Sequence, residues 1–444
     1  MPYIPHSDAD RQAMLAAIGV ESIEDLFADV PDDARFPPLE LPPAISELGA
    51  KWELGSLAEG NLTATAGNCF LGAGSYRHFV PAVVDAVVSR GEFYTAYTPY
   101  QPEISQGTLQ AIFEYQTMIC DLTGMDVSNA SHYDGATSTA EAVIAAIGVH
   151  RMRRKKVVIS RFVHPEYREV VRTYTQGMGL TIVGDEDGAT DPAELLDDDT
   201  ACLVVQYPDF LGRFDDLGRL SQAAHGVGAL FVVATDPIAL GLLKPPGHFD
   251  ADIVVGEGQG LGLGLNFGGP YLGFFATRMK YVRRMAGRLV GQTVDADGER
   301  GFVLTLATRE QHIRRERATS NICTNQGLMA LAAAVFMAAL GRCGMRQVAE
   351  LCYHRAHYAA NRIDALNGYS VSQDRPFFKE FAVRCPGPVG EINELLLEEW
   401  GIIGGYDLGQ DYPELGDQML VCVTEMNPRP AIDHLVEALV EVAT

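Results

Sequence analysis

The apolar positions change period along the chain, and the changes predict its elements. Between Gly60 and about Asn321, short β-rich runs alternate with stretches of helical period. The runs are Val157 to Ser160, Leu180 to Val183, Cys202 to Gln206, Leu230 to Ala234 and Ile253 to Val255; the helical stretches include Pro165 to Gln176 and Asp215 to Gly226. Strands alternating with helices predict a mainly parallel sheet covered on both faces. Gln326 to Leu340 reads as a long Ala/Leu/Met helix, and the remainder mixes helices with β-rich pieces such as FFKEFAVRC and QMLVCVTE, as in a smaller α+β domain. The first residues differ. A short amphipathic helix, Asp8 to Ile18, precedes VPDDARFPPLELPPA, whose prolines discourage helix and sheet alike. The expected organisation is an arm over 1–60, a large α/β domain over 61–325 and a small α+β domain over 326–444.

Composition narrows the function classes. At 444 residues the chain exceeds the length at which one core usually stops growing, and 47% hydrophobic against 21% charged residues is ordinary for a folded protein. A net charge of -24, from 58 acidic and 34 basic side chains, repels phosphate backbones and anionic headgroups, which argues against nucleic-acid and membrane-surface partners. The basic run Arg151, Arg153, Arg154, Lys155 and Lys156 sits where a helix should end and reads as a solvated terminus. The eight cysteines show no CxxC pair and no Cys/His spacing of the zinc type, so buried reduced thiols and no metal are expected. With no apolar leader and no apolar run of ~20 residues, the expected location is the cytoplasm.

Several stretches could carry chemistry. SHYDGATSTAEAVIAA runs from polar loop into helix, with Gly135, Thr137, Ser138 and Thr139 at the turn; such small residues let N–H groups and hydroxyls converge on an anion, or else Ser138 or Thr139 simply caps the helix ahead of Glu141. The strand in LFVVATDPIAL ends at Asp236, where open α/β sheets bind ligands, although a loop Asp capping the next turn is an equal reading. DIVVGEGQGLGLGLNFGGPYLGFFA continues from strand into a glycine-rich loop that matches no strong phosphate motif; its Asn266, Gly268, Gly269 and Pro270 suit a tight turn approaching a ligand or another chain. GEFYTAYTPYQPEISQG packs Tyr94, Tyr97, Tyr100, Gln101 and Glu103 before a helix, as active-site lining or as interface packing. The run Arg309 to Arg317 in REQHIRRERATSNICTNQ reads as a solvated face of mixed charge.

Taken together, YTPYQPEISQGTLQAIFEYQTMICDLTG, DGATSTAEA and RATSNICTNQ resemble the P-protein of the glycine cleavage system, over about Arg77 to Asn325. The resemblance implies a fold of the pyridoxal phosphate (PLP)-dependent transferase type, that of aspartate aminotransferase (fold type I). It also implies the N-terminal-half subunit of a two-subunit, α2β2 bacterial form. In that fold an aspartate at the place of Asp236 pairs with the pyridinium nitrogen, and a lysine in the loop after the next strand forms the Schiff base. This chain has Gln259 near that place and no lysine between Lys244 and Lys280. An amide nitrogen cannot form the imine, since its lone pair is delocalised. The resemblance therefore implies that a homologous partner subunit holds PLP. The complete enzyme would decarboxylate glycine and pass the aminomethyl group to the lipoyl arm of H-protein, with lipoate as acceptor. On this chain Tyr94, Tyr97, Tyr100, Gln101 and Glu103 would line the partner's active site. Asn266, Gly268 and Gly269 would approach the partner's phosphate, and the pocket around Asp236 and Ser138 would be vestigial. Two alternatives stay open at this level: a self-sufficient PLP enzyme using Lys244 or acting on another amino acid, and a non-catalytic scaffold for a PLP subunit.

Overall fold

Seven strands form the central sheet of the computed structural model. They are β1 (Val127–Ser128), β2 (Lys156–Ile159), β3 (Thr181–Val183), β4 (Thr200–Tyr207), β5 (Leu230–Thr235), β6 (Ile253–Glu257) and β7 (Gly273–Thr277), in spatial order β1-β7-β6-β5-β4-β2-β3. The run from β3 to β6 is parallel, while β7 pairs antiparallel with β6 and β1 antiparallel with β7. Residues 6–64, 68–186, 191–324, 326–371 and 375–442 are described. They fall into two units, Met1–Leu62 and Thr63–Thr444. In the first unit, the helix Asp8–Ile18 opens with a capping box between Ser7 and Asp10 and ends at Gly19 in the left-handed region; neither it nor the helix Glu47–Glu59 buries a residue.

Both faces of the sheet are covered, and the strand sequences show why. Leu203, Val205, Phe231, Val233 and Val254 join a core shared with helices α1 (Gln106–Thr123), α4 (Leu217–Gly226) and α5 (Gly327–Asp364). Their neighbours Cys202, Val204, Val232, Ile253 and Val255 join a second core with α2 (Gly135–Val149) and α3 (Pro165–Thr175). Successive strand residues point to opposite faces, so a sheet buried on both sides requires unbroken apolar runs. β1 and β7 escaped the sequence reading, as did the hairpin β8 (Leu289–Val294) and β9 (Arg300–Thr305). β1 is too short to show a period, and β7 sits inside a glycine-rich stretch.

Helix α5 carries the chain into a third core. Ala330, Phe336 and Met345 pack against the seven-stranded sheet, whereas Ala356, Ala360 and Ile363 pack beneath a four-stranded antiparallel sheet. That sheet comprises β10 (Ser370–Val371), β11 (Glu380–Arg384), β12 (Tyr406–Asp407) and β13 (Gln418–Cys422), in order β10-β11-β13-β12, with α6 (Val389–Trp400) and α7 (Arg429–Val442) beside it. Among the described residues α5 alone has the length and apolar composition to cross a membrane, but its uncharged stretch ends at Gly341 (φ 59°), where the helix breaks before Arg342, and its apolar residues fill the cores. The cysteines also depart in part from expectation: Cys202, Cys352, Cys385 and Cys422 are buried, but Cys343 is exposed and Cys69, Cys120 and Cys323 are half-buried.

Candidate functional site

The carboxyl ends of β5 and β6 face the N-terminus of α2. Helix α2 starts at Asp134, earlier than the expected cap at Ser138 or Thr139. Asp134 Oδ1 accepts from the Thr137 N–H at 2.7 Å, and the Asp134 N–H donates to Thr137 Oγ1 at 3.2 Å, a reciprocal capping box. The hydroxyls expected to face an anion turn back onto the helix instead: Ser138 Oγ donates to the Asp134 carbonyl (2.8 Å) and Thr139 Oγ1 to the Gly135 carbonyl (2.8 Å).

A carboxylate of the chain already occupies the helix mouth. Glu257, the last residue of β6, accepts at Oε2 from the Gly135 N–H (2.9 Å) and at Oε1 from the N–H groups of Gln259 (2.8 Å) and Leu272 (2.9 Å). Three backbone donors converging at the positive end of a helix make an anion site, and the anion is a side chain. Burial pushes Glu257 up to about 7, while the N–H groups of Leu272 and Gly135 pull it back. Every neighbour bonded to it is a donor, so the ionised form matches the geometry. Gly135 is obligatory here, because a Cβ would stand 2.1 Å from the Tyr167 phenol oxygen.

Asp236 is paired as well. Its Oδ1 accepts from the Ile238 N–H at 2.9 Å, which is the turn-capping role, and its Oδ2 lies 2.7 Å from the ammonium of Lys379. Lys379 immediately precedes β11 of the four-stranded sheet, and its side chain is 2% exposed. The ammonium lies 3.3 Å from the centre of the Tyr76 ring and 3.1 Å from His78 Nε2. Burial opposes this charge, but the Asp236 carboxylate, with Cys422 and Cys352, more than offsets it and holds the Lys379 pKa above its ordinary value. A protonated ammonium is no nucleophile. His78 Nε2 accepts from that ammonium and Nδ1 faces Glu425 Oε2 at 2.7 Å. His78, Cys352 and Glu425 have ligand atoms within 4.8 Å of one another, yet the ammonium beside them stands where a metal cation would meet repulsion.

Gln259 locks this arrangement. Its side-chain carbonyl accepts from the Tyr76 N–H (2.9 Å), and its amide donates to the carbonyls of Tyr76 and Leu263 (both 3.0 Å). Lys244 lies elsewhere, exposed, with its ammonium 4.2 Å from the centre of the Phe249 ring. The residues present do not fit PLP on this chain. Glu257 and Asp134 put carboxylates where its phosphate would bind, Lys379 holds the aspartate its ring nitrogen would need, and no free amine faces the pocket among the described residues. Lys379 and Glu257 were missed in the sequence. An acid directly at the end of β6 was the available signal for Glu257; Lys379 gave none, since only the fold brings β11 to β5.

The tyrosine loop is open. Tyr94 is 66%, Tyr97 84% and Tyr100 50% exposed, and Gln101 and Glu103 are also exposed. The three tyrosines line a cavity of about 430 Å³ together with Thr108, Cys323 and Leu328. Behind it the run Arg309 to Arg317 is exposed from Gln311 onward, as expected, but its first two residues turn inward. Arg309 donates through Nη2 to the Gly287 carbonyl and through Nη1 to that of Met285, and Glu310 is buried against Arg288 at 2.7 Å. The Asn266 to Pro270 turn is mostly exposed too, with Asn266, Phe267, Gly268 and Gly269 all at positive φ and nothing within 4 Å of a Cβ at Gly268.

The sequence profile of the glycine cleavage system P-protein family matches residues 1–439. The chain is similar to a probable glycine dehydrogenase (decarboxylating) subunit 1 of Thermomicrobium roseum, at 58% identity with 99% of each chain covered. Its likeness to the corresponding protein of Geobacillus kaustophilus is 54%, with 98% of each covered. Among solved structures, glycine decarboxylase (P-protein) of the glycine cleavage system, in inhibitor-bound form, superposes with a TM-score of 0.92 at 45% identity over 100% of both chains. A sphingosine-1-phosphate lyase from Burkholderia pseudomallei, 16% identical over 93% of this chain and 94% of that one, shares the fold at a TM-score of 0.65.

Proposed function

The chain belongs to the glycine cleavage system P-protein family, as a chain of the subunit 1 type with the fold of PLP-dependent transferases, and from that membership we propose that it is the cofactor-free half of a two-chain enzyme. A homologous, lysine-bearing partner subunit holds PLP, two copies of each chain form an α2β2 assembly in the cytoplasm, and lipoylated H-protein receives the aminomethyl group left when glycine loses CO2. PLP acts there as the electron sink for decarboxylation.

The observation that carries this division of labour is the Lys379–Asp236 ion pair at 2.7 Å, which commits both groups to each other. This chain's contribution is the loop Tyr94 to Glu103: rigid amphipathic side chains around an open cavity, able to exclude water and orient a small amino acid at a neighbour's site.

Two measurements test the proposal. The chain alone, given PLP and lipoylated H-protein, should release no labelled CO2 from glycine, and release should appear when the partner is added; steady release by the lone chain overturns it. In the assembled enzyme, Tyr97→Phe and Tyr100→Phe should each lower glycine decarboxylation about tenfold or more, the scale of losing one oriented hydrogen bond. Full activity in both variants removes the loop from the site.

A further inference from the structure

Tyr100 is the one loop tyrosine whose phenol is held by a buried charge. Arg288, 1% exposed, donates from Nη2 to the Tyr100 phenol oxygen at 2.9 Å, and its guanidinium carbon lies 4.5 Å from the centre of the ring. Behind it, Arg288 Nε donates to Glu310 Oε2 at 2.7 Å. Arg288 Nη1 and Glu310 Oε1 have no partner among the described residues, although both are buried. An ion pair this deep would ordinarily be fully hydrogen-bonded, because desolvating two charges is costly. Here part of that capacity is directed at one phenol on the wall of a cavity.

The donor inventory then fixes a direction. A guanidinium has donors only, so the Tyr100 oxygen is the acceptor in this bond and its single O–H must point away from Arg288. Tyr100 is half exposed, and its free side borders the cavity it shares with Tyr94 and Tyr97. We infer that the Arg288–Glu310 pair is a positioning device that presents the Tyr100 hydroxyl to the cavity as a hydrogen-bond donor, for an anionic or carbonyl oxygen of the amino-acid substrate. Arg288 and Glu310 touch no substrate themselves; they act through the phenol. His312, with Nδ1 3.6 Å from Glu310 Oε2 and its ring 6.1 Å from that of Tyr100, closes the outer side of the group. The inference deepens the proposed function and rests on its placement of the loop at a partner's active site.

A double-mutant cycle in the assembled enzyme tests it. Arg288→Lys keeps a cation but loses the planar fork that reaches phenol and carboxylate together. With glycine varied, Tyr100→Phe and Arg288→Lys should each lower kcat/KM about tenfold or more, and the double variant should be no worse than the poorer single one within about twofold. The KM for H-protein should stay within about twofold in all three, whereas a general loosening of the fold would move both substrates. Should Arg288→Lys fail to assemble, Glu310→Gln frees the same guanidinium more gently, and its loss should vanish in the Tyr100→Phe background. Losses that multiply, or an active Arg288→Lys enzyme beside an impaired Tyr100→Phe, overturn this inference while leaving the loop in the site. Full activity of Tyr97→Phe and Tyr100→Phe together overturns the loop assignment itself.

Discussion

Glu141 illustrates how burial alone sets a residue's pH behaviour. It lies on α2, 3% exposed, and accepts from Ser320 Oγ at 2.6 Å; burial raises its pKa to about 7, against the pull of that bond. A carboxyl whose folded pKa lies above its unfolded value of 4.5 favours folding below that unfolded value, and the contribution is lost as pH rises towards 7. Glu141→Gln keeps an acceptor for Ser320 and removes the ionisation. Its stability relative to the native chain should therefore rise by about 1–3 kcal/mol between pH 5 and pH 8 in urea unfolding, and an unchanged difference across that range would refute the buried assignment. Glu257 makes a second residue-scale case. Glu257→Ala leaves three backbone donors facing a small void, so inorganic phosphate should raise the variant's thermal midpoint beyond chloride at equal ionic strength, while the native chain shows no such response. A phosphate-stabilised native chain would mean that the helix mouth is open. At this scale Asp236 was legible, because a strand end announces itself, whereas its partner Lys379 was not, because a sequence does not print which distant strand will arrive.

At the scale of elements, the parallel strands were legible for a simple physical reason. A sheet covered on both faces tolerates no polar alternation, so β4, β5 and β6 stand out as unbroken apolar runs, while α3, between β2 and β3, and α4, between β4 and β5, stand out by their period. The start of α2 was misplaced because DGATSTA offers a capping residue at nearly every step, and only the Asp134–Thr137 reciprocity decides among them. The run from Gln311 to Arg317 is exposed, as its mixed charge implied, whereas Arg309 and Glu310 at its start turn inward, because charge in a sequence looks solvated until a buried partner, here Arg288 for Glu310, is brought to it. The Asn266 to Pro270 stretch reads in the sequence as a tight turn approaching a ligand or another chain. Its four consecutive positive φ values are a conformation that β-carbons resist, and such strain persists where surroundings or function require it. If the turn approaches the partner's phosphate as we propose, Gly268→Glu meets no crowding atom but strains the backbone at φ 109°, so a variant shown by its thermal midpoint to be folded should still weaken PLP retention by the mixed complex. Normal PLP retention by that complex would count against the approach.

For the whole molecule, the seven-stranded sheet and the four-stranded sheet are joined through α5 and meet again where Lys379 crosses to Asp236. The α/β character of the large domain followed from sequence period, and its family from three long strings of residues. What period could not give is the filling of the pocket, which depends on side chains that converge only once both sheets are in place. On the division of labour proposed above, that filling governs how the vitamin-derived coenzyme is shared out in a cell that makes both chains. If, as we propose, carboxylate and ammonium balance the interior of this chain in place of the coenzyme, occupancy should saturate at a single equivalent per pair of unlike chains in an absorbance titration. Two equivalents per pair would reveal a second live socket. On the proposed division of labour, a protein that supplies both charges from its own side chains withdraws from the competition and leaves the whole supply to its neighbour.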